Sequence, residues 1–276
     1  MLHAKRIIIA VVFIFLQGCT SYYEDRGEYF VDSSVTSQGK NERVRYIIIH
    51  YTATDDDTSL NLLTKGDVSA HYFIPTRSST LYEKPVVRQL VPDDKRAWHA
   101  GISQWGERRN INDTSIGIEI VNPGFTENNG QRKWYHYQSG QIDLLTRLLK
   151  DLTGRYDIAP ENVLGHSDVS PGRKFDPGPM FPWHSLAQQG IGAWPDENRV
   201  QDYLSGRDRD EESDVLFLQS LLKAYGYTIS EDGVLDQKTR DIISSFQMHF
   251  RPGKITGEPD AETEAIANAL VEKYKK

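Results

Sequence analysis

Residues 43–53 read RVRYIIIHYTA. β-Branched and aromatic residues crowd this run, the composition of a buried strand. Alternation puts Tyr46, Ile48 and His50 on one face. A second run, TSIGIEIV at 114–121, sets Ile116, Ile118 and Ile120 on one side and Glu119 on the other, beside Gly117 and Val121. AHYFI (70–74) and STLYEKPV (79–86) read as shorter strands around a turn, and ENVLGH (161–166) as another short strand. QIDLLTRLLKDL (141–152) places Ile142, Leu145, Leu148, Leu149 and Leu152 at helical spacing. Strands interleaved with a helix point to one α/β domain over residues 43–195.

The chain has 276 residues, 38% hydrophobic and 26% charged, so a packed core is available. A formal net charge of −7 with no dominant basic stripe argues against a nucleic-acid partner. The only cysteine is Cys19, which excludes an intramolecular disulfide and any cysteine-based zinc site. It ends the leader MLHAKRIIIAVVFIFLQGCT, in which Lys5 and Arg6 precede an apolar run from Ile7 to Leu16. That run is too short to span a bilayer as an ordinary helix and has the layout of a signal peptide. Leu16-Gln17-Gly18-Cys19 resembles a bacterial lipobox. The resemblance implies a signal peptide over 1–18, lipidation at Cys19 and a lipid-anchored tether over 19–42. With Thr20 after the cysteine, it implies the outer membrane, facing the periplasm of a Gram-negative envelope. An ordinary signal peptide with an incidental cysteine is the other reading.

The chemistry concentrates in LGHSDVSPGRKFDPGPMFPW (164–183), an irregular loop held stiff by four prolines. It supplies His166, Lys174 and, ten residues after the histidine, Asp176. His50 alone reads equally as a satisfied strand-end histidine or a metal ligand. Glu119 alone reads as a solvated or ion-paired carboxylate, or as a base whose pKa is raised by poor hydration. Two histidines and a carboxylate are enough to bind zinc with one coordination position left open. There is no HExxH, so the arrangement is not that of a helix-borne zinc protease site.

IIIHYTA, SAHYFI, AWHAG, SIGIEIVN and GHSDVSPGRKFDPG, spread over residues 44–184, together resemble the zinc-dependent N-acetylmuramoyl-L-alanine amidases of the amidase-2 type. This is the family of a phage lysozyme and the peptidoglycan recognition proteins; the leader and C-terminal region narrow the likeness to its outer-membrane lipoprotein members. The resemblance implies a mixed central sheet flanked by helices, one Zn2+ per chain, and peptidoglycan and muropeptides as partners. His50, His166 and Asp176 would be the ligands, Glu119 the general base and Lys174 the oxyanion stabiliser. Tyr51, Thr52, His71, Trp98 and His99 would contact substrate, core packing being the alternative for His71 and Trp98. Asp168 either orients His166 or caps a turn, and His136, His184 and His249 carry no role. A non-catalytic recognition protein on the same fold, and an amidase-fold enzyme cutting another amide, are the competing readings.

SGRDRDEESD (205–214) is a charge run without an apolar anchor, and residues 196–212 read as an exposed linker. Beyond it, over 213–276, three apolar stripes predict a small three-helix domain. They are Val215, Leu218, Leu221, Leu222 and Tyr225; Ile242, Ile243, Phe246 and Phe250; and Ile266 with Leu270. Asp236 and Asp260 are N-cap candidates. LQSLLKAYGY, DG and LDQKTRDIISSFQ resemble a peptidoglycan-binding domain, which implies holding the enzyme on the wall; a cap packed on the catalytic domain fits the same helices.

Overall fold

A computed structural model describes residues 22–275; the leader, Cys19 and the first tether residues lie outside it. Met1–Asn41 and Glu42–Lys276 are two separate units. The described part of the first is exposed, and two short strands, Tyr23–Asp25 and Phe30–Asp32, pair in it as an antiparallel hairpin.

The second unit is built on a five-stranded sheet. Its strands, in chain order, are β1 (Tyr46–Tyr51), β2 (Tyr72–Ile74), β3 (Arg88–Gln89), β4 (Ser115–Ile120) and β5 (Val163–Gly165). They lie in the order β5-β1-β4-β2-β3; only the β2–β3 pair is antiparallel. The sheet is mixed, as expected. Helix α1 (Asp56–Lys65) connects β1 to β2, and α2 (Ser139–Tyr156) precedes β5. Asp55 starts α1 by accepting the Thr58 amide and hydroxyl, both at 2.9 Å. Ile47, Ile49, Ile116, Ile118 and Ile120 are wholly buried in one core with Leu145, Leu149 and Leu152 of α2. Both central strands can bury isoleucine at every second position because helical cover closes that face.

The other face is more polar and meets the rest of the chain. Helix α3 (His166–Val169) begins directly after β5, so the opening turn of the proline-rich loop is helical rather than irregular. Asp168 explains this: its Oδ2 accepts the Gly165 amide at 2.7 Å and caps the turn. Helix α4 (Trp183–Ala187) follows, then α5 (Glu197–Leu204), α6 (Val215–Tyr225), α7 (Gln237–Phe250) and α8 (Ala261–Tyr274).

Three helices were expected in the C-terminal region, and Asp236 and Asp260 do cap α7 and α8 through the amides of Thr239 and Thr263. The segment 196–212 departs from an exposed linker. It carries α5, whose Val200 and Leu204, four residues apart, are buried in the C-terminal core, and Arg199 pairs with Glu272 of α8. The charge run after it is zipped to the helices: Arg207 pairs with Glu264 at 2.9 Å, Arg209 with Glu262, and Asp210 with Lys254.

Nor are the two halves independent. Ile48, Ala100, Trp105 and Leu164 belong to the same buried cluster as Leu222, Tyr225, Phe246 and Leu270. Trp105, from the hairpin Gln104–Trp105/Arg108–Arg109, lies edge-on to Tyr227 at 4.9 Å. Gly226 makes this possible: it takes φ +143°, and a Cβ there would sit 2.6 Å from the indole.

Arg251 grips Asp260 with both guanidinium nitrogens at 2.7 and 2.8 Å, and both side chains are buried. Breaking such a pair strands a charge away from water. Asp260→Ala, which removes the α8 cap as well, is expected to cost about 3–5 kcal/mol of stability, measured as a lower urea midpoint at unchanged slope.

Candidate metal centre

His50 is the penultimate residue of β1 and lies beside Glu119 of β4 in the parallel register. Paired residues of parallel strands share a face, so the two side chains project together, opposite the isoleucines. His166 opens α3, and Asp176 ends the same loop; the Ser167 amide donates to the Asp176 carbonyl at 2.9 Å and closes it. Three atoms converge. His50 Nδ1 and His166 Nδ1 are 2.9 Å apart, and Asp176 Oδ2 lies 2.8 Å from the first and 3.0 Å from the second. All three residues are buried.

The far sides of the rings decide where the protons sit. Ser115 donates its only hydroxyl hydrogen to the Ile111 carbonyl at 2.7 Å. Its oxygen therefore accepts from His99 Nε2–H, 3.1 Å away. His99 Nδ1 is then an acceptor and takes the His50 Nε2–H at 3.0 Å. His166 Nε2–H donates to the Ala100 carbonyl at 3.0 Å. In neutral rings both Nδ1 atoms are consequently left unprotonated, with lone pairs facing each other and the carboxylate. Burial, helped by the neighbouring His166, pushes His50 down to about 4, so it stays neutral near pH 7. Three unprotonated donors within 3.0 Å repel unless a cation lies between them. Nitrogen, nitrogen and carboxylate oxygen, each ring fixed by an outer hydrogen bond, is the donor set zinc takes.

The trio lies in a cleft of about 270 Å3 that Tyr51, Thr52, Trp98, His99, Glu119, Arg173 and Lys174 also line. Burial, reinforced by the charge of Asp176, raises Glu119 to about 8. Its Oε2 is buried with no hydrogen-bond partner among the described residues. A carboxylate so placed is ready to take a proton. Desolvation likewise raises the Tyr51 phenol. Trp98 is exposed, with the Arg96 guanidinium 4.5 Å from its ring centroid.

Of the residues expected to meet substrate, Tyr51, Thr52 and Trp98 line the cleft. His99 lines it too, but both its nitrogens are committed to the His50–Ser115 chain. His71 is withdrawn from the cleft. Its Nδ1 accepts the Gly117 amide at 3.0 Å and its Nε2 donates to the Lys95 carbonyl at 3.1 Å. It braces the sheet, as its core alternative had it. Sequence reasoning missed Ser115, Asn112 and Arg173. Asn112 Oδ1 accepts the His99 and Ala100 amides at 3.1 and 2.8 Å and aims that segment; Arg173 clamps the Ala100 and Ile102 carbonyls, both at 2.8 Å. Gly117 held a signal for His99. A Cβ there would lie 2.4 Å from the His99 ring, so only glycine lets the ring rest on the strand.

Comparison with known proteins agrees with this geometry. A family model described as N-acetylmuramoyl-L-alanine amidase matches residues 40–179, and a peptidoglycan binding domain model matches 211–266. The chain is 47% identical to the N-acetylmuramoyl-L-alanine amidase AmiD of Escherichia coli over 95% of both chains. A solved complex of that protein with anhydro-N-acetylmuramic acid-L-Ala-D-gamma-Glu-L-Lys superposes with TM-score 0.87 at 46% identity, covering 92% of this chain and 98% of the other. AmpDh3 of Pseudomonas aeruginosa gives TM-score 0.80 at 40% identity, over 92% and 99%. From the strand that carries His50 to the loop that carries Asp176, the chain belongs to the amidase-2 family of N-acetylmuramoyl-L-alanine amidases.

Proposed function

We propose that this chain uses zinc, held by His50, His166 and Asp176, to hydrolyse the amide between the lactyl group of N-acetylmuramic acid, intact or 1,6-anhydro, and L-alanine of peptidoglycan. One observation carries the reading: three unprotonated donors converge beside a buried, partnerless carboxylate oxygen in one cleft. Zinc bound there supplies Lewis acidity that makes water nucleophilic near neutral pH. Glu119 accepts the proton of the attacking water and returns it to the departing alanine nitrogen. The Lys174 ammonium faces the carbonyl oxygen as negative charge grows on it. Trp98, exposed at the cleft edge, offers a flat apolar surface for the sugar. The competing recognition role has nothing in its favour, since no expected ligand or acid–base group is missing.

Among the described residues no helix is long and apolar enough to cross a membrane. The leader and Cys19, outside the described residues, support a lipid anchor at the outer membrane with the exposed segment 22–42 as tether. Labelled palmitate should enter the wild type and not Cys19→Ala; equal labelling of both would remove the anchor.

The amidase reading is tested by incubating the protein with an anhydromuramyl peptide and a muramyl peptide, with and without chelator, and weighing the products. Free stem peptide should appear, vanish with chelator and return with zinc; release that chelator leaves intact would exclude metal chemistry. Glu119→Gln should retain stoichiometric zinc while kcat falls by about 10²–10⁴-fold. His50→Ala should lose the metal, read by elemental analysis of the purified variant.

A further inference from the structure

We infer that the C-terminal helical domain is part of the metal centre's support: Tyr227 and His249 hold the one-turn helix that presents His166. The inference rests on the metal reading above and gives the domain a task besides wall binding.

Helix α3 has four residues, too few to persist without tertiary contacts. Its first residue is the candidate ligand His166 and its third is Asp168. That carboxylate is buried and takes three hydrogen bonds, of which only the Gly165 amide is local. The other two come from the C-terminal domain. The Tyr227 hydroxyl donates to Oδ1 at 2.6 Å, and His249 Nδ1–H donates to Oδ2 at 2.8 Å. Tyr227 comes just after the Gly226 cap of α6, and His249 lies near the end of α7, so two separate elements reach one side chain across the domain junction.

Both donors are themselves immobilised. The His249 ring is stacked between Trp183 at 3.9 Å and Phe250 at 4.0 Å, and its Nε2 has no hydrogen-bond partner among the described residues. Only Nδ1 makes a polar contact, and it makes it to Asp168. Tyr227 is locked edge-on against Trp105 at 4.9 Å and Phe246 at 6.0 Å. The support therefore runs from two packed rings, through Asp168, to the backbone turn that aims His166. Removing a donor leaves a buried carboxylate oxygen unpaired, which favours rotation of Asp168 or entry of water. Either moves the α3 turn, and a metal site tolerates about 0.5 Å of ligand displacement. Tyr227 and His249 are positioning residues: neither lines the cleft.

The test is the zinc dissociation constant of the full-length protein, measured by competition with a chromophoric chelator. It is run with the thermal midpoint for wild type, Tyr227→Phe, His249→Leu, His249→Asn and Leu270→Ala. Tyr227→Phe removes one hydroxyl and His249→Leu the imidazole donor; each should weaken zinc binding by about tenfold or more. His249→Asn, whose amide nitrogen reaches the place of Nδ1, should restore affinity to within about threefold of wild type. Leu270→Ala loosens the same buried cluster from α8, which gives Asp168 no hydrogen bond; it should lower the midpoint and leave zinc affinity within about twofold. Wild-type affinity in both Tyr227→Phe and His249→Leu would overturn the inference, whatever their midpoints, and so would loss of affinity in Leu270→Ala equal to theirs. A wild type that binds no zinc would remove the metal reading itself, an outcome distinct from either.

Discussion

Two imidazole nitrogens 2.9 Å apart, each with its lone pair turned toward the other and toward a carboxylate oxygen, are the constraint on which the site depends. Left to themselves such donors separate or take up a proton. Here the outer hydrogen bonds fix the tautomer and the turn of each ring, because each opposite nitrogen is already a donor to a fixed acceptor, and burial opposes a second proton on His50. On the His50 side the chain runs through His99 and Ser115 to the Ile111 carbonyl, ending on a backbone acceptor that cannot turn round. On the His166 side a single bond to Ala100 does the same. The protein thus holds two correctly turned imidazoles beside a carboxylate in a place that favours a cation. Nearby, low hydration keeps Glu119 at the basic end of the carboxylate range.

The sheet makes this affordable by dividing labour between its faces. Isoleucines from the two central strands close one core with α2, and that core asks nothing of the chemistry. The opposite face carries Gly117, Glu119 and His50, and its hydrophobic remainder, Ile48 with Leu164, joins a core completed by the C-terminal helices. The metal loop lies between these two bodies of packing. A loop with so many polar side chains holds its shape because both of its ends, and Asp168 within it, are tied to rigid elements.

The C-terminal helices therefore do more than follow the catalytic region in the chain. Trp105 enters their core, Gly226 makes room for it, and Tyr227 and His249 reach back to Asp168. The chain matches a peptidoglycan binding domain over 211–266, and the same helices that carry this match complete the catalytic core.

Much of this was readable from residue order. Strand positions follow from alternation in RVRYIIIHYTA and TSIGIEIV, helix positions from stripes of leucine and isoleucine, and caps from Asp236 and Asp260, because periodicity and capping are local properties. The convergence of His50, His166 and Asp176 was legible through motif resemblance. What stayed hidden depended on residues distant in sequence. Ser115 has no signature of its own, and His99, expected to touch substrate, lines the cleft with both nitrogens engaged by His50 and Ser115. His71 looked like a site residue because it lies in the family-like stretch SAHYFI, whereas its hydrogen bonds go to the backbone of Gly117 and Lys95. The segment 196–212 looked like a linker because charge dominates it, although Val200 and Leu204 mark a helix and the charges find partners on α8. His249 is the clearest case: one histidine among eight, unremarkable in its helix, given its purpose by an aspartate 81 residues away. Local pattern determined the elements and the chemistry they offer, since backbone periodicity needs only near neighbours. Tertiary structure alone decided which nitrogen carries each proton and which domain steadies the ligand, because a hydrogen bond joins whatever groups packing brings within 3 Å, irrespective of their separation along the chain.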